Sequence, residues 1–114
     1  MQIVITQKQH ITVIELDGRL DGVTMTQLEE QLLLKLEQGH KHLLFQLRNL
    51  EYISSAGLRV MLLAIKKTKA VQGAVAICEL QSNVKDIFDL SGFSSIFHIT
   101  ATLDEALTYL QAQG

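Results

Sequence analysis

The sequence lacks several features on which whole classes of protein depend. Its 114 residues contain no proline and a single cysteine, Cys78, so no turn relies on the fixed φ of proline and no internal disulfide can form. A lone cysteine fits a reducing cytosol. No apolar run approaches the ~20 residues that span a bilayer, and the amino terminus lacks the basic and long apolar segments of a signal peptide. We therefore expect a cytoplasmic protein without membrane insertion.

An excess of charge of one sign is also missing. Ten basic and 12 acidic side chains leave a formal net charge of −2, whereas proteins that bind nucleic acid usually carry a basic surface. We therefore expect no direct nucleic-acid partner. The hydrophobic fraction is 47%, and the chain is long enough for one compact core but hardly for two. We predict a single domain over residues 1–114.

Five short segments have strand patterns. In the first two, polar and apolar residues alternate, and the short polar link between them predicts a β-hairpin. The next two are nearly continuous apolar runs, which are typical of strands covered on both faces. The five predicted strands are residues 2–6, 10–16, 43–47, 74–78 and 96–99.

Four helices are predicted among these strands. The first begins at a capping box formed by Thr26 and Glu29, and the last at a second box formed by Thr102 and Glu105. The second helix follows a pair of serines, and the third spans 82–90. This alternation predicts an α/β fold, with a mixed β-sheet of about four to five strands and about four helices packed on it.

The pair Ser54 and Ser55 stands where an apolar strand gives way to an amphipathic helix. Serine is among the commonest N-cap residues, so capping alone would explain the pair. The positive end of the helix dipole would also accept a phosphate on a serine hydroxyl. Gly57 lies within the first helical turn, where glycine costs up to ~1 kcal/mol relative to alanine. Either a packed neighbour or a docking protein surface would explain such a glycine.

Two aspartates precede glycines, in Asp17-Gly18 and Asp21-Gly22. Asp-Gly is first of all a turn dipeptide, so both are predicted turns. The carboxyl ends of parallel strands meet at one edge of a sheet, and Asp21 is therefore predicted to face the serine pair. There it could hold a serine hydroxyl by a hydrogen bond, and it would repel a phosphate placed on that hydroxyl.

Motifs for catalysis and metal binding are missing. The serine pair lacks the Gly-x-Ser-x-Gly elbow of α/β hydrolases, and the chain has neither a phosphate loop nor a Gly-x-Gly-x-x-Gly segment. Cys78 is predicted to be a small buried hydrophobe. His40 and His42 have no third ligand near them in the sequence, so we expect solvated residues at a strand edge. We predict that the chain is not an enzyme and has neither a metal nor a cofactor.

Three motifs in order resemble the STAS domain family, and in particular the stand-alone bacterial anti-sigma factor antagonists. The resemblance runs nearly end to end. Gly18-Arg19-Leu20-Asp21 is similar to the family's Gly-x-Leu-Asp segment. The stretch from Leu43 to Leu58 is similar to its strand, linker and Asp-Ser-Ser/Thr-Gly-Leu signature. The segment from Phe88 to Phe93 is similar to its Phe-x-x-Ser-Gly-Leu/Phe element.

Three positions depart from the family pattern. Ser54 replaces the signature aspartate, Ala56 replaces the second hydroxyl residue, and Gln46 stands where many members carry an acidic residue. The resemblance therefore leaves Asp21 as the nearest candidate to orient Ser55. Ser54 remains an alternative site of modification.

The resemblance implies a phosphorylation switch. In the family, the residue after the signature aspartate is phosphorylated by a kinase that is also the anti-sigma factor, and a serine phosphatase reverses the modification. The match places this phosphoserine on Ser55. It implies that the unmodified chain binds the anti-sigma factor and that phosphorylation releases it. The implied partner-binding residues are Asp21, Ser54, Ser55, Ala56, Gly57 and Leu58.

Two other functions remain open at this point. A STAS subunit could be a fixed structural partner of a transport ATPase, docking through the same helix without modification. A small ligand-binding module or weak enzyme could instead use the edge where the strands end. The three functions differ in whether a phosphate, a fixed partner or a small molecule meets the serine pair.

Overall fold

The computed structural model describes residues 1–113. Over this range the chain forms one mixed sheet of six strands, four α-helices and one 3₁₀ helix at Phe93–Ser95. The elements in chain order are β1 (Gln2–Lys8), β2 (Ile11–Leu20), α1 (Met25–Glu37), β3 (His42–Gln46), β4 (Leu50–Ile53), α2 (Ser55–Ala70), β5 (Ala74–Cys78), α3 (Ser82–Leu90), β6 (His98–Thr100) and α4 (Leu103–Gln111). The predicted α/β fold with a mixed sheet is confirmed. The sixth strand is β4, whose outer residues are buried while Glu51 is exposed, so it has no continuous apolar run.

The sheet has the strand order β1-β2-β3-β5-β6, and β4 pairs with the last part of β2. Only β1 is antiparallel to its neighbour; the remaining pairs are parallel. The carboxyl ends of β2 to β6 therefore lie at one edge, here called the carboxyl edge, and their first residues lie at the opposite, amino edge. The loop after β2 and the serine pair after β4 both belong to the carboxyl edge, as the sequence predicted.

A β-bulge lies where β2 meets β4. Gly18 pairs with Leu50, but the next residue, Arg19, pairs with Tyr52, so Glu51 is an extra residue on β4. Gly18 has a φ of +112°, which an L side chain rarely adopts. The predicted turn at Asp17-Gly18 is therefore wrong: both residues lie within β2. The positive φ of Gly18 occurs where the register with β4 shifts, and the chain does not reverse there.

Helices cover both faces of the sheet. The larger apolar cluster joins the sheet to α1, α2 and α3, and the smaller one joins it to α4. All five residues of β3 are buried, which confirms the prediction of a strand covered on both sides. The smaller cluster contains Ile11, Val13, Leu44, Ala76, Cys78, Ala106 and Leu110.

The two predicted capping boxes had different outcomes. At α4 the predicted cap is confirmed, because the Glu105 amide donates to Thr102 Oγ1 at 3.2 Å; the Glu105 side chain accepts from that hydroxyl at 3.0 Å. The box at Thr26 is wrong, because α1 already begins at Met25. The carboxylate of Asp21 lies before this helix and accepts from backbone amides at its entrance, a role that the prediction had given to Thr26.

Candidate functional site

The two serines have different roles at the start of α2. Ser54 is the N-cap: its backbone is extended, with φ −96° and ψ 175°, and its Oγ accepts from the Gly57 amide at 3.3 Å. The Ser54 amide donates to the Leu20 carbonyl at 2.9 Å, which ties the cap to the end of β2. Ser55 is the first residue of the helix and is exposed. Capping therefore occupies Ser54 and leaves the side chain of Ser55 facing solvent.

The start of α2 favours negative charge. The helix has 16 residues and no acidic residue in its first turn, so its free amides and dipole meet no carboxylate within that turn. Arg59 is exposed and follows Ser55 by four residues, a spacing that places two side chains on the same helix face. A phosphate on Ser55 would therefore stand near a positive helix end and one turn from a guanidinium.

Asp21 lies at the same edge, but its carboxylate is engaged within its own loop. Oδ1 accepts from the amides of Val23 and Thr24 at 3.0 and 3.1 Å, and Oδ2 lies 3.8 Å from Arg19 Nε. The hydrogen bonds from the Thr24 and Val23 backbones hold the pKa of Asp21 below its ordinary value. The Leu20–Ser54 hydrogen bond brings this loop beside the serine pair. Within residues 1–113, however, the Asp21 carboxylate makes its hydrogen bonds to this loop and not to Ser55.

Gly57 and Leu58 were predicted to belong to the docking surface, but both are buried. A Cβ on Gly57 would lie 2.8 Å from Leu20 Cγ and 2.9 Å from both Ile53 Cγ1 and the Leu20 carbonyl oxygen. The glycine is therefore explained by packed neighbours of the same chain. Leu58 points into the larger core cluster. These two residues shape the surface from below, and Ala56 is half-buried between them and Ser55.

Gln46 has a local partner that explains its difference from the family pattern. Its side-chain amide donates to Glu79 Oε1 at 2.7 Å, and Glu79 Oε2 accepts from the Leu103 amide at 3.3 Å. Arg48 Nε lies 3.6 Å from the same Glu79 carboxylate. An acidic side chain at position 46 would meet this carboxylate with like charge, whereas glutamine donates to it. The glutamine at position 46 therefore fits the Glu79 carboxylate beside it at the carboxyl edge.

Three residues on the same edge as the serine pair could not be singled out from the sequence. The Arg19 guanidinium lies 4.3 Å from the centre of the Tyr52 ring, in a cation–π contact. Val23 is 88% exposed, in a loop held by the hydrogen bonds to Asp21. The Arg19–Tyr52 contact depends on the bulge, which shifts the pairing by one residue and leaves no mark in the apolar pattern. Val23 stands next to a turn dipeptide, where one apolar residue carries little signal.

The remaining candidate groups lie outside this site. Cys78 is buried, as predicted, and burial raises the pKa of its thiol to about 12. His42 is also buried, at 6% exposure, so the prediction of a solvated strand-edge residue is wrong for it; α4 covers the start of β3. No group of three or more metal-ligating side chains is found among residues 1–113. Over the same residues, none of the helices has the length and apolar character needed to cross a bilayer.

Comparison with known proteins places these features in a family. The family model described as the STAS domain matches residues 2–106. A protein of Bordetella bronchiseptica, BtrV, whose name describes it as an anti-sigma factor antagonist, is 40% identical over 91 residues, which are 80% of this chain and 78% of BtrV.

Two solved structures show the same fold. A Thermotoga maritima protein described as an anti-sigma factor antagonist has a TM-score of 0.92 at 17% identity, and the match covers 96% of this chain and 94% of that one. The Bacillus protein SpoIIAA, in its phosphorylated form, has a TM-score of 0.74 at 21% identity, over 95% and 98% of the two chains. Because the family model covers nearly the whole length and a relative is 40% identical over most of it, this chain belongs to the STAS domain family.

Proposed function

We propose that this chain is a cytoplasmic, non-enzymatic anti-sigma factor antagonist that is switched by phosphorylation of Ser55. In its unmodified form it binds an anti-sigma factor that is also a serine kinase, and a serine phosphatase reverses the modification. The observation that carries the proposal is the separation of roles in the serine pair: Ser54 caps α2, and Ser55 is exposed on its first turn. The names of BtrV and of SpoIIAA in its phosphorylated form support it.

The electrostatics of the helix start suit a switch that acts on the interface and not on the fold. A phosphoserine adds roughly −1.5 to −2 charges at neutral pH. At the first turn of α2 this charge meets free amides and the positive dipole end, so the domain tolerates it. A partner surface packed closely over Ser55 would instead have to desolvate it. The expected result is loss of binding with little loss of stability.

The proposed partner surface surrounds Ser55 on the carboxyl edge. It comprises Asp21, Ser54 and Ala56, and we extend it to Arg19, Val23 and Tyr52 because they lie on the same edge. Val23 suits an apolar anchor, because the hydrogen bonds of its loop already order it before any partner arrives. Gly57 and Leu58 contribute through the packing that positions α2 and not through direct contact.

Phosphorylation by the cognate kinase with ATP, followed by mass spectrometry, tests the modified residue. We expect one phosphate on the wild type and on Ser54→Asn, and none on Ser55→Ala. Ser54→Asn is the matched control, because it removes the neighbouring hydroxyl and keeps an N-cap acceptor for α2. Phosphate on Ser54, or an unmodified wild type, contradicts the proposed site.

Partner binding by charge variants tests the switch itself. Ser55→Asp should weaken binding to the anti-sigma factor by about 100-fold, since a buried unpaired charge at an interface costs about 2–5 kcal/mol. Ser55→Ala should bind like the wild type, because a hydroxyl lost from an exposed position leaves nothing unpaired. If both variants bind equally well, the proposed switch is contradicted and a fixed structural role of a STAS subunit gains support.

A further inference from the structure

We propose that His10 and His42, here called the histidine pair, form an acid-sensitive latch that holds the carboxyl-terminal turn of α4 on the amino edge of the sheet. This inference does not rest on the proposed function, because the histidine pair lies at the opposite edge from Ser55. The two imidazole rings are in edge-to-face contact, with centroids 4.8 Å apart and an interplanar angle of 86°.

One ring of the pair binds the end of α4 directly. His10 Nε2 lies 3.2 Å from the Leu110 carbonyl oxygen. A carbonyl only accepts, so this nitrogen carries the proton and donates it. Leu110 is fully buried in the smaller core cluster, so the hydrogen bond joins the hairpin turn before β2 to the last turn of α4.

The other ring is buried with one nitrogen unpaired. His42 is 6% exposed, and its Nε2 is a buried atom without a hydrogen-bond partner in the part of the chain that the structure describes. The backbone of Gln113 favours the protonated ring, but burial outweighs it and lowers the pKa of His42. Leaving a polar atom unpaired in this way is costly, and a charge placed there would cost more.

The titratable and charged groups that face His42 oppose its protonation. The hairpin turn contributes His10 and the loop before β3 contributes Lys41, both of which act against a further positive charge. His40 and His42 line one surface cavity of about 650 Å³. The last turn of α4 offers no acidic residue, since those of that helix lie in its first turn. Burial and these neighbours hold the pKa of His42 below its ordinary value of 6.5.

The direction of the pH effect follows from linkage. An open form with a free imidazole protonates at about pH 6.5, whereas the closed form stays neutral to a lower pH. The closed form is therefore fully favoured above pH 6.5 and loses stability as the pH falls below it. The loss ends once the pH reaches the lowered pKa of the closed form. In that window the opening equilibrium rises about tenfold per pH unit.

Nuclear magnetic resonance of the full chain tests the latch. We expect the His42 imidazole to titrate below pH 6.5, and the α4 amides near Leu110 to lose hydrogen-exchange protection in the same window, about tenfold per pH unit after correction for intrinsic exchange. Amides in the middle of α2, near the buried residues Met61 and Ala64, should keep their protection, which distinguishes local release from global unfolding. Titration of His42 at or above pH 6.5, or equal loss of protection at both helices, overturns the proposal.

Variants separate the pair from the other histidines. In His42→Phe, the hydrogen exchange of the α4 amides should no longer depend on pH between pH 6.5 and the pKa of His42 in the wild type. His98→Gln is the matched control, since His98 is exposed and stacks on Tyr109 of the same helix at 3.6 Å between ring centroids, and it should keep the wild-type dependence. If His42→Phe does not fold, His10→Gln serves instead and should raise the pKa of His42 by removing the facing ring. An unchanged His42 titration in His10→Gln contradicts the pairing.

Discussion

The two edges of the sheet differ in how fully their polar side chains are hydrogen-bonded. At the carboxyl edge Gln46 donates to Glu79, Glu79 also accepts from the start of α4, and Ser54 caps α2. At the amino edge the Nε2 atom of His42 is buried without a partner. The carboxyl edge is the one on which we propose that a phosphate on Ser55 controls partner binding. The amino edge contains His42, whose burial destabilises the fold by an amount that depends on pH.

This contrast separates two kinds of sensitivity in one small domain. A phosphate on Ser55 would change a surface and leave the fold alone, because the helix start accommodates it. A proton on His42 would change the closed state of the fold, because the charge enters a buried position. Neither event needs the other. The four predictions below test how far each edge is protected by its own packing.

The largest expected effect is on Cys78, a buried group at the carboxyl edge. Because burial raises the pKa of this thiol from 9.0 to about 12, the thiolate fraction near neutral pH falls about a thousandfold. Alkylation of the folded chain should therefore be at least a thousandfold slower than alkylation of the same chain in denaturing urea, because the thiol is also fully buried. Mass spectrometry of timed samples measures both rates. Equal rates would show that the carboxyl edge opens readily, which would contradict the difference between the two edges.

The next effect is expected at Gly73, on the amino edge. A Cβ there would overlap the Lys41 carbonyl oxygen and lie 2.8 Å from Lys41 Cβ. This carbonyl also accepts from the Ala74 amide at 2.9 Å, so it cannot move without loosening the start of β5. Gly73→Ala should lower the free energy of unfolding by about 3 kcal/mol. Urea unfolding measures this; Gly22→Ala, which meets no atom within 4 Å, is the control.

Gly57→Ala applies the same test to the carboxyl edge. The added Cβ would crowd Leu20 and Ile53, with an overpacking cost of 1–3 kcal/mol that the better helix propensity of alanine, up to ~1 kcal/mol, partly offsets. We expect a net loss of about 2 kcal/mol in the free energy of unfolding, less than for Gly73→Ala. A larger loss at Gly57 than at Gly73 would reverse the order of the two edges.

The smallest effect distinguishes the two serines. Ser54→Ala removes the cap acceptor for the Gly57 amide and should cost about 1 kcal/mol. Ser55→Ala should change the free energy of unfolding by less than about 0.5 kcal/mol, because the residue is exposed and the cap is untouched. Thermal unfolding of both variants under identical conditions measures the difference. Equal losses would contradict the separation of the capping and exposed roles.

Most of the fold could be predicted because the core segments have strong local patterns. The buried runs of β3 and β5, the stripe of α2 and the cap at Thr102 each follow from a few neighbouring residues. The errors arose where distant contacts decide. Asp17-Gly18 has a turn composition, but pairing with β4 keeps it in a strand, and the carboxylate of Asp21 takes the place expected for Thr26 at the entrance to α1.

The candidate site was predicted in its position but not in its contacts. The segments around Asp21 and Ser55 were placed on one edge from topology alone. The burial of Gly57 could not be assigned to packing or to a partner, because that depends on Leu20, which lies 37 positions away in the sequence. His42 was misplaced for the same reason, since α4 covers it from the far end of the chain.

The bulge at Glu51 has a consequence for how this domain can vary. Its carbonyl accepts from the Asn83 side chain at 2.7 Å, so the extra residue anchors α3 as well as shifting the pairing. Deleting one residue between Leu50 and Ser54 would turn Tyr52 or Ile53 to the opposite face of the sheet and would also detach α3. In a family of related chains, we therefore expect the number of residues from Leu50 to Ser55 to stay constant.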